Sequence, residues 1–298
     1  MSETRVVKGA HGLPYSKGLM AQSLSASGVP PERAFQLARL LEERLGARRM
    51  PEIDVAELRG LAADVLRDEE GEESVRRFED WQRLNHLDRP LIVRLAGTAG
   101  VGKSTLATML AGRLGITRVI PTDAIRQVLR ACFSETFMPA VHYSSFEAAR
   151  SVELITRGSG DDDLLGFARQ AESVATAVNA IIDRASLENT GMIAEGVHMV
   201  PGTLAESTRR KCVVVEVVLV VADENLHRAH FSVRGGDRPA DRYLDRFEQI
   251  RKLQDYLIER ARAESVPVVD NTNIDEALGR IMELVLAAVS EHRTRSPR

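Results

Sequence analysis

Leu91-Ile92-Val93-Arg94-Leu95-Ala96-Gly97-Thr98-Ala99-Gly100-Val101-Gly102-Lys103-Ser104 is the stretch that decides how this chain folds. Its first part is an apolar run of strand length. Its second part matches the phosphate-loop pattern G-x-x-x-x-G-K-S/T at Gly97, Gly102, Lys103 and Ser104. Each residue type has a chemical reason to be there. Glycines let the backbone wrap closely around phosphate oxygens with its N–H groups turned inward. Lys103 is expected to reach the β- and γ-phosphates and Ser104 to bind Mg²⁺. The helix predicted over Ser104–Leu114 adds its positive end to the same place. The cofactors implied are ATP and Mg²⁺, gripped by Gly97, Thr98, Ala99, Gly100, Val101, Gly102, Lys103, Ser104 and Thr105.

Outward from this stretch, further strands are predicted at Arg118–Pro121, Gly191–Ala194, Val213–Val221 and Val266–Val269, with helical segments between them. That alternation implies an α/β fold of P-loop kinase type, a parallel sheet covered by helices on both faces. Ligands on such sheets bind at the carboxyl ends of the strands. Upstream, leucines at helical spacing from Ser16 to Leu87, with helices predicted over Val55–Arg67 and Glu72–Asn85, read as a small helical module. Asp88-Arg89-Pro90 reads as the break, giving domains 1–88 and 89–298.

The strand ends carry the remaining chemistry. Asp123 follows the second strand, where it can accept a hydroxyl proton or cap the next helix, and both roles are compatible. Arg126 and Arg130 fall on one face of that helix. Glu195 follows the third strand, where P-loop enzymes keep a metal-organising carboxylate, so Ser104 and Glu195 are the expected metal residues. His198, in the turn that follows, is read as a contact for a substrate phosphate. His142, Tyr143 and Ser144 are read either as a cap on the acceptor pocket or as a helix-capping serine beside buried aromatics. From His227 to Arg246, arginines and histidines surround Gly235-Gly236, as expected of a lid. Within it Arg234 is assigned to the nucleotide and Arg238 to the substrate. Asp161-Asp162-Asp163 reads as a solvated turn.

The bulk properties narrow the field. The chain has 298 residues and a formal charge of -3, which argues against nucleic acid as a partner. Two cysteines make no disulfide framework, and no apolar run approaches the roughly 18 residues of a membrane span. The polar start, Met1 to Gly12, lacks a signal-peptide core. The expected setting is cytoplasmic, without membrane or nucleic-acid partners, with homo-oligomerisation left open.

Taken together, the phosphate loop, Thr122-Asp123-Ala124-Ile125-Arg126, His142-Tyr143-Ser144-Ser145 and Glu195-Gly196-Val197-His198-Met199-Val200-Pro201-Gly202 resemble the 2-phosphoglycerate kinase family, over about Arg89 to Leu278. The resemblance implies γ-phosphoryl transfer from ATP to a hydroxyl of a small phosphorylated acid. It implies Lys103, Asp123, Arg126 and Glu195 as catalytic residues. Asp123, Arg126, Arg130, His142, Tyr143, Ser144, His198 and Arg238 would bind substrate. Another acceptor, such as an inositol phosphate, and a regulatory ATPase are the alternatives. Val6-Val7-Lys8-Gly9, Leu13-Pro14-Tyr15-Ser16-Lys17-Gly18 and Ser23-Leu24 are similar to the ATP-cone module. That module is either a nucleotide-binding regulator or a packing unit.

Overall fold

A computed structural model describes residues 4–8, 11–48, 50–84, 87–153, 162–233 and 240–295. The chain divides into two compact units, residues 1–86 with 112–115, and residues 87–111 with 116–298.

The first unit contains β1 (Arg5–Lys8), β2 (His11–Pro14), α1 (Lys17–Ala26), α2 (Pro31–Ala47), β3 (Glu52–Asp54), α3 (Val55–Glu70) and α4 (Glu72–Leu84). Ser16 caps α1 through its hydroxyl, and Pro31 occupies the first turn of α2, where a missing N–H costs nothing. Asp54 and Glu57 form a reciprocal capping box at the start of α3. Leu37, Leu41 and Leu45 of α2 recur every four residues and are buried with Leu61 and Leu66 of α3 and Phe78 of α4. The leucine spacing predicts a unit made of helices alone. The structure adds a three-stranded sheet of order β2-β1-β3, antiparallel on one side and parallel on the other. Strands of four and three residues are too short to display a period of two.

The second unit contains β4 (Leu91–Ala96), α5 (Lys103–Leu114), β5 (Arg118–Pro121), α6 (Thr122–Cys132), α7 (Arg150–Glu153), α8 (Asp162–Leu187), β6 (Met192–Gly196) and α9 (Glu206–Arg209). It continues through β7 (Val213–Val220), α10 (Glu224–Val233), α11 (Ala240–Leu244), α12 (Phe247–Ala263), β8 (Val268–Asp270) and α13 (Ile274–Arg295). Its five strands are all parallel, in the order β5-β6-β4-β7-β8. The phosphate-loop strand β4 is therefore central. β6 runs on through Glu195 and Gly196 instead of stopping at Ala194 as expected, so Glu195 is a strand residue. β8 begins at Val268, two residues later than expected.

Alternate side chains of the strands face opposite ways. Ile92, Met192, Ala194, Val218 and Val220 join Phe167, Val174 and Ile182 of α8 and Leu253 and Leu257 of α12 in one core. Residues of the opposite parity, among them Val93, Leu95, Ile193, Val217 and Leu219, are also buried, and α13 packs along β7 and β8. Arg94 and Glu216 interrupt the apolar pattern together. They are register partners on β4 and β7, both nearly fully buried and ion-paired to each other. Arg94 also donates to Thr203 Oγ1 at 2.9 Å, and Arg209 closes on Glu216 from outside. Among the described residues no helix is long and apolar enough to cross a membrane.

Candidate active site

The loop between β4 and α5 is held from behind by side chains that each take one of its carbonyls. Lys103 Nζ donates to Thr98 O at 2.7 Å, and His227 Nε2 to Ala99 O at 2.8 Å. His230 Nδ1 donates to Gly100 O at 2.9 Å, and Asn271 Nδ2 to Val101 O at 2.9 Å. With these carbonyls taken, the loop's N–H groups are the backbone polar atoms left for an anion. The close approach depends on two glycines in left-handed backbone. A Cβ on Gly100 (φ 87°) would lie 2.6 Å from the Phe231 ring and 2.8 Å from His227 Nε2. One on Gly102 (φ 81°) would lie 2.4 Å from Asn271 Nδ2. Burial pushes the His227 pKa below its ordinary value, with Arg251, His230 and Lys103 acting in the same direction against the bond to Ala99. A neutral ring suits a donor to a carbonyl.

At the carboxyl end of β6, Ser104 Oγ donates to Glu195 Oε1 at 2.7 Å. The parallel register that sets Leu95 and Pro121 beside Glu195 puts this carboxylate at the sheet's carboxyl edge. Asp123 lies in the first turn of α6, its side chain 72% exposed, with Arg126 Nε 3.6 Å from Oδ1. Arg126 is largely buried. Its Nη1 donates to Val141 O and Tyr143 O, both at 3.0 Å, while its Nε has no hydrogen-bond partner. Arg130 is exposed on the same helix.

Other expected contacts are placed differently. His198 is fully buried and both ring nitrogens are engaged, Nδ1 with Thr122 Oγ1 and Nε2 with Gln170 Oε1, each at 2.9 Å. Burial, aided by Arg126 and Lys103 and opposed by Asp123, pushes its pKa down to about 4. A neutral, enclosed imidazole does not contact a phosphate directly, so that expectation is corrected. His142 is bonded to Phe133 O at 2.9 Å and Tyr143 Oη donates to Glu135 at 2.6 Å. Ser144 Oγ accepts from Arg242 at 2.9 Å, and Arg242 also pairs with Glu147. The stretch read as an arginine lid is divided in function: His227 and His230 hold the phosphate loop, and Arg228 lies 3.8 Å over the Phe247 ring. Arg234 and Arg238 lie outside the described residues. Asp162 opens α8, and Asp161 also falls outside them.

Gln170 and Asn271 carry no role in the sequence reading, and Thr122 enters it only as the first residue of the Thr122–Arg126 motif. Thr122 fills the space that Gly196 leaves: a Cβ there would fall 1.8 Å from Thr122 Oγ1. For Gln170 and Asn271 the only signal in the sequence is a polar residue within an apolar context, which is weak.

A central parallel strand feeding a G-x-x-x-x-G-K-S loop, with a carboxylate from the neighbouring strand on the loop serine, defines a P-loop kinase. Over 288 residues the chain is 35% identical to the 2-phosphoglycerate kinase of Methanopyrus kandleri, covering 94% of this chain and 86% of that one. To the protein of the same name from Methanocaldococcus jannaschii it is 35% identical over 283 residues, covering 94% and 90%. The chain belongs to the 2-phosphoglycerate kinase family. No protein-family model matches it. Among solved structures, a shikimate kinase from Acinetobacter baumannii in complex with shikimate is 16% identical at a TM-score of 0.38, covering 67% of this chain and 94% of that one.

Proposed function

We propose that this chain transfers the γ-phosphoryl group of ATP to the free hydroxyl of 2-phosphoglycerate, giving 2,3-bisphosphoglycerate and ADP. The observation that carries the reading is the pairing of Arg126 and Asp123. The Arg126 guanidinium is largely buried and faces the Asp123 carboxylate at 3.6 Å without a hydrogen bond at Nε, and that carboxylate is exposed, so an acceptor can meet a cation and a base side by side. An acceptor bearing both a phosphate and a hydroxyl matches the pair, and the name of the relatives, 2-phosphoglycerate kinase, supplies the three-carbon acid.

Lys103 and the loop N–H groups hold the β- and γ-phosphates. Arg126 binds an anionic group of the acceptor and turns its hydroxyl toward Asp123. The hydroxyl oxygen bonds to the γ-phosphorus as the bond to the bridging oxygen breaks, ADP departs, and the hydroxyl proton passes to Asp123. Ser104 and Glu195 offer adjacent oxygen donors that fit Mg²⁺, which needs few protein ligands when phosphates complete its shell. When bound, that ion draws charge from the phosphate oxygens. The fit of the loop to a nucleotide is also marked by Thr98, whose buried hydroxyl has no partner. Two free cysteines, Cys132 and Cys212, agree with a cytoplasmic enzyme.

The N-terminal unit contains a cavity of about 890 Å³ lined by Arg5, His11, Tyr15, Leu19, Arg59 and Trp81, among others. Cationic, aromatic and apolar walls support reading this unit as a second nucleotide site of ATP-cone type.

The test is coupled ADP release with 2-phosphoglycerate, 3-phosphoglycerate and glycerate side by side. The first should be strongly preferred, and Lys103→Ala should lower turnover on the order of a thousandfold. A preference for another acceptor, or ADP release that ignores all three, would overturn the assignment. Equilibrium binding of ATP to the full chain should show two sites, one of them lost in Arg59→Ala; a single site that Arg59→Ala leaves unchanged refutes the N-terminal one.

A further inference from the structure

Gln170 lies on α8, is fully buried and has every polar atom in use. Its Nε2 donates to Ala140 O at 2.6 Å and to Tyr143 O at 2.9 Å. An amide nitrogen has two protons, so both are spent. Reversing the amide would set its oxygen against two carbonyl oxygens, which none of the three can accommodate. Oε1 therefore faces His198 Nε2, 2.9 Å away, and can only accept. It follows that the His198 proton is on Nε2, that Nδ1 is an acceptor, and that Thr122 Oγ donates to it. One orientation runs through the whole chain, from the Thr122 hydroxyl to His198, to Gln170, to the carbonyls of the 139–143 turn.

The two ends of this chain meet the acceptor side. Thr122 precedes Asp123 and packs into the gap at Gly196, directly after Glu195. Tyr143 O accepts from Gln170 and from Arg126 Nη1 together, so the carbonyl that aims the guanidinium is itself held by the amide. We infer that Gln170 is the positioning residue of the acceptor site, acting through the oriented His198 ring on the Thr122–Gly196 contact and through Tyr143 O on Arg126. It touches no substrate, being wholly enclosed. The inference deepens the phosphotransfer reading above and rests on it for its kinetic arm.

Gln170→Met keeps the volume and removes both functions. Gln170→Glu keeps the shape and the acceptor but removes the donation to two carbonyls, except where the carboxyl is protonated. In both, the KM for 2-phosphoglycerate should rise about tenfold or more while the KM for ATP stays within twofold. The deficit of the Glu variant relative to wild type should shrink as pH falls. Combined with Arg126→Lys, the effect of Gln170→Met on acceptor KM should be much less than additive. Equal rises in both KM values, or full additivity, would overturn the inference. Thermal melting identifies a variant that fails to fold, and the wild-type imidazole spectrum then decides. Nitrogen NMR of His198 should show the neutral ring protonated at Nε2. Protonation at Nδ1, or a cationic ring at pH 7, refutes the chain. Should wild type fail to phosphorylate 2-phosphoglycerate, the functional reading falls by itself, and the same spectrum still tests Gln170.

Discussion

Protonating His198 means placing a charge where water does not reach. Its folded-state pKa of about 4 lies below the ordinary 6.5, so between these values the unfolded chain binds a proton that the folded chain refuses. The stabilisation is fully present above about pH 6.5 and drains away as pH falls to about 4, a loss on the order of 3 kcal/mol. Urea midpoints should therefore drop between pH 7.5 and 5, and His198→Gln should flatten that slope. An unchanged slope in the variant would show that other groups cause it. The chain placed His198 next to a strand end, and that much was legible. What encloses it was not, because Gln170 stands 28 positions upstream on another element. Lys103 and Ser104 were legible because their motif is local. Asp123 and Arg126 were legible as neighbours three apart on one helix turn.

The elements show a similar division. β4 and α5 could be read directly: six apolar-patterned residues, a glycine loop, then a helix with Leu106 and Leu110 on one face. β1, β2 and β3 could not, since each is too short to repeat. Nor could the meaning of Arg94 within an apolar strand, which depends on Glu216, 122 positions away. Buried charges of this kind are costly to leave unpaired. Glu216→Ala should destabilise the second unit by about 3–5 kcal/mol, with Arg94→Met combined with Glu216→Leu recovering most of it. Chemical denaturation of the three proteins checks this, and a Glu216→Ala loss below about 1 kcal/mol would sink it.

At the scale of the molecule, the phosphate loop is gripped by residues from three parts of the chain: Lys103 within it, His227 and His230 on α10, and Asn271 after the last strand. Asn271→Ala should raise the KM for ATP roughly tenfold, through one lost bond to a buried carbonyl, and leave the KM for 2-phosphoglycerate unaltered. Initial rates with each substrate varied in turn decide it; a matched shift in both would mean general loosening. The bond from Asn271 to Val101 spans 170 residues, so its timing during synthesis is fixed. A nascent chain exposes its whole glycine-lysine-serine motif long before it can hold a nucleotide well. The asparagine that locks the loop leaves the ribosome 170 residues after the carbonyl it holds, so ATP is gripped more weakly by the growing chain than by the finished enzyme.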